Sequence, residues 1–367
     1  MKKTTFTKGK RVLALLSTTA LTLAILSGCG TTNKAETAQP AKPGAEQPAD
    51  TEDTLAQFPP VKLPFTVDPN ASIFEYQGGK LTGQEFEDFL RALGFMNPPQ
   101  AYAIGVSTQE MIDNYARQYL ATKLKAEKAD ETIKKTAATE ADKSFESLKG
   151  QYIQVLGSED KFNQLMKNHN ITKEAIVKQL ASINASVKVM ESEVKDADLK
   201  KEYDTADKSA YTTASVRHIL VKFENRKPEE ADKLAKDYLA RLKKGEDFAT
   251  LAKQVSEDEG SKANGGLYAN ADVNNWVPEF KKAALTQKIG VLSEPAVKTE
   301  YGYHIVKVED RKVKTFDEVK DQLKQQVLEK KFEQYVTKDL DAIITKKSLP
   351  EVKAPATPAP TPAPETK

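Results

Sequence analysis

Two histidines, each followed by a run of β-branched and apolar residues, constrain the fold of this chain more than any other feature. His218 precedes Ile-Leu-Val, and His304 precedes Ile-Val-Lys-Val. Such runs predict buried strands. Each imidazole should therefore lie within or beside a sheet, where burial and hydrogen bonds determine its tautomer. Two unrelated core histidines would give the same pattern, and the residues between them distinguish the two interpretations.

The residues between the histidines predict short helices followed by strands. Apolar residues recur at helical spacing between Pro228, which suits a first turn, and Gly245, which suits a stop. Two shorter helices follow, and residues 291–297 and 301–308 predict a pair of strands. The order strand, helices, strand, strand predicts a small α+β domain.

Six short motifs in this region occur in an order that resembles the parvulin family of peptidyl-prolyl isomerases. They read His-Ile-Leu-Val, Gly-Glu-Asp-Phe-Ala-Thr-Leu-Ala-Lys, Val-Ser-Glu-Asp, Asn-Gly-Gly, Val-Pro-Glu-Phe and Gly-Tyr-His-Ile. No single motif is decisive, but six in the right order and spacing are specific. The resemblance covers residues 215–311 and implies a parvulin α+β domain over residues 211–312, with peptidyl-prolyl cis-trans isomerase activity.

The resemblance also implies roles for individual residues. His218 and His304 match the paired histidines of the parvulin centre, and Asp258 matches a position held there by an acidic residue or a cysteine. Thr299 matches a hydroxyl that bonds towards the histidine pair. The positions of the proline-binding cup are matched by Leu267, Trp276 and Phe280. Without the resemblance, these three would be ordinary core residues and Asp258 a solvated acid in a turn; Phe280 could serve in both core and cup.

The chain departs from the family pattern after its Asn-Gly-Gly motif. Many members read Gly-Gly-Asp-Leu-Gly-Trp-Phe, whereas here Gly266 is followed by Leu267-Tyr268-Ala269-Asn270. Trp276 stands where a smaller, Met-like residue is common. These differences concern the mouth of the pocket. They leave open a second interpretation, a catalytically weak holdase chaperone that keeps the parvulin fold.

Rotation about an Xaa-Pro bond cleaves nothing and needs no nucleophile. The rate rises when the twisted amide is bound more tightly than either planar form. An apolar cup for the proline ring and a few fixed polar groups can supply that difference. We therefore predict neither a cofactor nor a metal site.

The first 28 residues are predicted to form a lipoprotein signal peptide. Basic residues precede an apolar stretch that is too short for a comfortable membrane span, and Leu26-Ser27-Gly28-Cys29 resembles a bacterial lipobox. The resemblance implies cleavage before Cys29 and a diacylglyceryl group on it, and two acyl chains give stable anchoring. The expected location is the extracytoplasmic face of the cell membrane of a Gram-positive bacterium. The alternative is a chance cysteine after an ordinary signal peptide.

The composition argues against a nucleic-acid partner and rules out an intrachain disulfide. The chain has 55 basic and 53 acidic residues, and the five basic residues of the predicted signal peptide account for its positive balance. Since no basic stripe remains, a nucleic-acid partner is not expected. Cys29 is the only cysteine, so a disulfide within one chain is impossible.

The residues that flank the parvulin region predict a mainly helical lobe. Residues 63–210 carry helical stripes, and a capping box is predicted at Thr82-Gly83-Gln84-Glu85. Residues 313–348 are predicted to form one C-terminal helix that begins at a second capping box, Thr315-Phe316-Asp317-Glu318, and packs on the N-terminal lobe. His169 has no second ligand near it in sequence and is predicted to be a surface histidine.

Residues 29–62 and 349–367 are predicted to be a disordered tether and a proline-rich disordered tail. The whole arrangement resembles the PrsA-type foldase lipoproteins and the SurA-type periplasmic chaperones. It implies a chaperone-like lobe formed by both terminal segments, and unfolded exported proteins with Xaa-Pro bonds as partners. A solute-binding lipoprotein would need repeated strand–helix units with parallel strands, which this sequence does not predict.

Overall fold

The computed structural model describes residues 54–224 and 226–353, which fall into two compact units. The first comprises residues 54–194 and 326–353, and the second comprises residues 195–325. The predicted signal peptide, Cys29, and most of the predicted tether and C-terminal tail lie outside the described residues. Phe58 and Val61, which fall within the predicted disordered tether, are buried in apolar cores of the first unit. None of the helices described is both long enough and apolar enough to cross a lipid bilayer.

The described residues combine helices with two antiparallel sheets, so the predicted α+β class is confirmed. The helices are α1 (Gly83–Met96), α2 (Pro98–Gly105), α3 (Gln109–Glu127), α4 (Glu131–Leu156), α5 (Glu159–Asn168), α6 (Lys173–Ser192), α7 (Asp196–Thr205), α8 (Pro228–Lys243), α9 (Phe248–Val255), α10 (Pro278–Thr286) and α11 (Phe316–Thr337). The strands are β1 (Ser72–Tyr76), β2 (Gly79–Thr82), β3 (Thr212–Lys222), β4 (Leu267–Asp272), β5 (Val297–Lys298), β6 (Gly302–Val313) and β7 (Ile344–Lys347).

Both predicted capping boxes are confirmed. The Thr82 hydroxyl accepts a hydrogen bond from the Glu85 amide, and the Glu85 carboxylate accepts one from the Thr82 amide at 3.0 Å. Thr315 and Glu318 exchange the same pair of bonds at the start of α11. Each box satisfies two amide groups that a helix start would otherwise leave without a partner.

The first unit is mainly helical, and its two large apolar clusters each hold many aromatic side chains. One core packs α1 and α3 against the three-stranded sheet β2-β1-β7, and it includes Tyr335, Val336 and Leu340 from the C-terminal segment. The other includes Phe95 and Tyr152, whose hydroxyl donates to the Phe95 carbonyl at 2.6 Å. Residues after 325 therefore complete the core of a unit that begins more than 250 residues earlier.

The C-terminal segment is not one continuous helix, which corrects the prediction for residues 313–348. Helix α11 ends at Thr337, and Ile344–Lys347 form strand β7, which pairs antiparallel with β1. Ile343, Ile344 and Thr345 are β-branched and therefore fit a strand well. The apolar spacing of this segment extends the helical pattern, but the open edge of β1 provides the partner that decides its structure.

His169 is buried, contrary to the prediction of a surface histidine. Its side chain is only 4% exposed, its Nε2 lies 3.0 Å from the Phe58 carbonyl oxygen, and its ring meets Phe95 edge-on. Burial lowers the pKa of His169, so the neutral ring donates from Nε2 to the carbonyl. Local sequence could not reveal this, because the partner lies 111 residues away.

The second unit is built on the antiparallel sheet β4-β3-β6-β5. Strands β3 and β6 pair along their whole length, from Thr212 opposite Val313 to Lys222 opposite Gly302. Helices α8 and α9 cover one face through contacts with Ile219 and Ile305. Helix α10 covers the other face through contacts with the core that includes Val216 and Val306. The three helices predicted between the histidines are confirmed.

Two strands differ from the prediction. Strand β4 was not predicted, because it directly follows a stretch rich in turn-forming residues. It pairs with β3 through an irregular register. The strand predicted over residues 291–297 is reduced to Val297–Lys298 and one isolated bridge between Leu292 and Lys307. In both places pairing to a distant strand, rather than local propensity, decides the structure.

Candidate active site

The pairing of β3 with β6 brings the two histidines together. His218 lies opposite Val306 and His304 lies opposite Leu220, so the imidazoles are diagonal neighbours on one face of the sheet. Their Nδ1 atoms are 3.1 Å apart, and the rings are stacked with an angle of 15° between their planes. Both side chains are buried. The face they share is the one that α10 covers.

Asp258 lies in the turn after α9 and binds the outer side of His218. Its Oδ2 is 3.1 Å from His218 Nε2 and accepts hydrogen bonds from the hydroxyls of Ser261 and Tyr268. Ser261 Oγ is itself 3.0 Å from His218 Nε2. Burial raises the pKa of Asp258, but the hydrogen bonds from these partners outweigh it and hold the pKa well below its usual range. Asp258 is therefore a carboxylate at neutral pH.

Thr299 binds the other end of the histidine pair. Its Oγ1 is 2.9 Å from His304 Nε2, and it accepts a hydrogen bond from the backbone amide of Tyr301 at 3.2 Å. Burial and the neighbouring His218 lower the pKa of His304 to about 3. The His304 ring is therefore neutral at physiological pH.

The carboxylate gives this chain of hydrogen bonds a direction. An ionised carboxylate only accepts, so His218 Nε2 carries the proton that points towards Asp258. When each ring carries a single proton, His218 Nδ1 accepts from His304 Nδ1, and His304 Nε2 accepts from the Thr299 hydroxyl. The result is a fixed row of dipoles beneath the pocket.

Aromatic side chains from α10 and the segment before it lie beside the histidines. Phe280 meets His218 and His304 edge-on, with ring centroids 5.1 and 5.2 Å away. Trp276 in turn meets Phe280 edge-on at 5.1 Å. Phe280 is buried within the core beneath α10, while Trp276 is partly buried at its edge. Phe280 thus belongs to the core and also faces the histidine pair.

Tyr268, and not Leu267, lies on the histidine side of β4, which corrects the residue chosen from the sequence. The Tyr268 ring stacks on His218 at 5.6 Å and lies 6.4 Å from Trp276. Leu267 pairs with Arg217, and successive strand side chains point to opposite faces. Counting along the motif could have found this, since the leucine of Gly-Gly-Asp-Leu is the second residue after the glycines, and that position is Tyr268 here.

Gly266 allows β4 to approach β3 at this point. Its φ is +79°, and a Cβ added to it would lie 2.1 Å from the His218 carbonyl oxygen. The His218 amide donates to the Gly266 carbonyl at 2.8 Å. A side chain at this position would push the strand that carries Tyr268 away from His218.

Ser261 is a further site residue that sequence reasoning missed. It is fully buried and bonds both His218 and Asp258. Its signal in the sequence is weak: a serine three residues after Asp258 in a turn-rich stretch. Within residues 54–224 and 226–353, no group of three or more His, Cys, Asp or Glu side chains is arranged to hold a metal ion.

Comparison with known proteins matches the second unit to a described domain family and much of the chain to foldases. The family described as the PPIC-type PPIASE domain matches residues 198–312. The foldase protein PrsA of Caldanaerobacter subterraneus is 36% identical over 233 residues, which cover 63% of this chain and 68% of that protein.

The foldase protein PrsA of Clostridium botulinum is 38% identical over 234 residues, which cover 59% of this chain. The chain spans 64% of the length of that relative, slightly less than two thirds. Among solved structures, the peptidylprolyl isomerase PrsA of Bacillus cereus is 27% identical, with a TM-score of 0.38, over 75% of this chain and 92% of that chain.

Proposed function

This chain belongs to the foldase protein PrsA family, and on that premise we propose that it catalyses cis/trans isomerisation of Xaa-Pro bonds in incompletely folded exported proteins. The observation that carries the proposal is the buried His218–His304 pair, held by Asp258 and Thr299 and lying directly against Phe280. Polar and apolar parts of the site therefore meet where a proline amide could touch both.

Catalysis would come from tighter binding of the twisted amide. The proline ring of the substrate packs among Phe280, Trp276 and Tyr268, while the rest of the chain remains free to rotate. Twisting removes the resonance that makes the planar amide strongly polar, so an apolar cup disfavours the planar form relative to the twisted one. The fixed dipoles of the histidine pair need no reorganisation as the bond turns. Each tenfold in rate requires about 1.4 kcal/mol of such differential binding.

We expect the soluble mature chain, beginning after residue 29, to accelerate isomerisation of a short Xaa-Pro peptide. The acceleration should be proportional to enzyme concentration and should persist in a chelator, since the proposed mechanism uses side chains alone. A protease-free peptide assay by NMR exchange would measure it. Folded protein that binds the peptide but leaves its isomerisation rate unchanged would contradict the proposal and favour the holdase alternative.

The protein is further proposed to be anchored by lipid at the extracytoplasmic face of the membrane of a Gram-positive bacterium. The support is the sequence Leu26-Ser27-Gly28-Cys29, which follows a basic and then an apolar segment. Lipid on Cys29 would hold the isomerase near the point where exported chains emerge unfolded.

Cys29→Ala should abolish incorporation of labelled fatty acid and release the protein from the membrane fraction. The reason is that two acyl chains supply the anchoring free energy and the lipid is attached to the cysteine thiol. Thr31→Ala, two residues away, is the matched control and should remain labelled. Fatty-acid labelling of the Cys29 variant at the wild-type level would show that the anchor lies elsewhere.

The first unit is proposed to bind the unfolded partner. A cavity of about 570 Å³ opens among α1, α3, α4 and α6, and its lining includes the stacked rings of Phe89 and Tyr119 together with five alanines. Charged residues such as Glu85 and Lys123 also line it. Its aromatic rings and alanines would contact apolar side chains of a partner, and the seven charged residues of its lining would contact polar ones.

A further inference from the structure

Tyr268 touches both parts of the site. Its ring stacks on His218 and faces Trp276, while its hydroxyl donates to Asp258 Oδ2 at 2.9 Å. A leucine, which many parvulins carry at this position, could supply the apolar contact but not the hydrogen bond. The hydroxyl therefore adds a link between the cup and the carboxylate.

The turn that carries Asp258 leaves room for this hydroxyl. A Cβ added to Gly260 would lie 2.5 Å from Tyr268 Oη and 3.8 Å from Asp258 Oδ2. Real Cβ atoms do not approach oxygen so closely, so the hydroxyl reaches Asp258 only because residue 260 has no side chain. The atoms that a methyl group at residue 260 would meet all belong to side chains. Such a group would therefore displace the Tyr268 hydroxyl without a clash with the backbone.

Asp258 Oδ2 is the common hydrogen-bond acceptor of the residues around His218. Ser261, Tyr268 and His218 all bond to this one oxygen. Burial and the Asp258 charge raise the pKa of Tyr268 to about 12, so its hydroxyl remains protonated and acts as a donor. Two neutral hydroxyls thus fix the carboxylate in the position from which it accepts a hydrogen bond from His218 Nε2.

We propose that Tyr268 is a positioning residue of the isomerase, whose hydroxyl holds Asp258 against His218 and whose ring packs against both His218 and Trp276. This inference rests on the proposed isomerase function. Tyr268 acts through Asp258 and His218 and also forms one wall of the cup.

Tyr268→Phe and Gly260→Ala remove the same hydrogen bond in two ways. Each should lower kcat/KM of the mature chain by about tenfold, the size expected for one lost hydrogen bond to a charged group. The kcat/KM of the double variant should be no lower than that of the more impaired single variant, because both changes remove the same hydrogen bond. Tyr268→Leu should also raise KM, since it removes the ring. Tyr238→Phe, in α8 on the opposite face of the sheet, should retain wild-type kinetics.

A second measurement does not depend on turnover. The proton on His218 Nε2 reports on the bond to Asp258, and ¹⁵N-edited NMR of the histidine rings detects it. In Tyr268→Phe and Gly260→Ala that resonance should move upfield and exchange faster with solvent than in Tyr238→Phe. A wild-type resonance in folded Tyr268→Phe would overturn the positioning role, whatever the kinetics. Absence of isomerase activity in the wild type, with the NMR changes present, would overturn the proposed function alone.

Discussion

Replacing Asp258 by alanine should lower kcat/KM for Xaa-Pro isomerisation by roughly 10- to 100-fold, with circular dichroism unchanged. The change leaves three donors, His218 Nε2 and the hydroxyls of Ser261 and Tyr268, without their common acceptor. Hydrogen bonds to a charged group contribute about 1.5–3 kcal/mol each, and losing their orienting effect on the histidine pair gives the expected range. The peptide exchange assay measures the outcome.

Matched variants separate the position of this carboxylate from its charge. Glu259→Ala removes an exposed carboxylate one residue away and should be silent. Asp258→Asn keeps the shape but can accept through only one oxygen, so it should fall between wild type and Asp258→Ala. Combined His218→Ala and His304→Ala should abolish measurable catalysis. A folded double-histidine variant with full activity would remove the pair, and with it Asp258, from the mechanism.

Local patterns predicted those parts of the second unit whose structure is decided locally. The apolar stripe from Pro228, the stop at Gly245 and the two β-branched runs are short-range signals, and helix α8 and strands β3 and β6 follow them. The histidines lie on one face because antiparallel pairing repeats every second residue. The other candidate site residues were assigned by their positions in the parvulin motifs. One of them is Thr299, which lies beside His304 in the structure.

The features that the sequence did not reveal all depend on distant partners. Strand β7 forms because β1, some 270 residues earlier, offers an edge. His169 is buried because the Phe58 carbonyl accepts a hydrogen bond from its ring. Tyr268 reaches the site because β4 pairs irregularly with β3, with Asn270 at a φ of +47°. None of these pairings produces a periodic pattern of apolar residues in the sequence, because each contact joins residues that are far apart in the chain.

Separating the two units should separate two activities. A chain in which residues 195–325 are replaced by a short flexible linker should fold cooperatively and suppress aggregation of a client whose folding does not depend on proline. It should not isomerise peptides. The isolated residues 195–325 should do the reverse. The physical reason is that each unit has its own buried apolar core, and the proposed client cavity lies entirely in the first.

The C-terminal segment provides the control for this experiment. Leu340 is fully buried in the first unit, so Leu340→Ala in the linked chain should reduce its free energy of unfolding by about 2–5 kcal/mol. Protection of the client should fall with it as the folded fraction falls, whereas Val155→Ala, at an exposed position of α4, should change neither. The linked chain could be folded yet give the client no protection, while residues 195–325 alone protect it. Client binding would then have to be assigned to the second unit. The binding surface would in that case be the aromatic cup of Tyr268, Trp276 and Phe280.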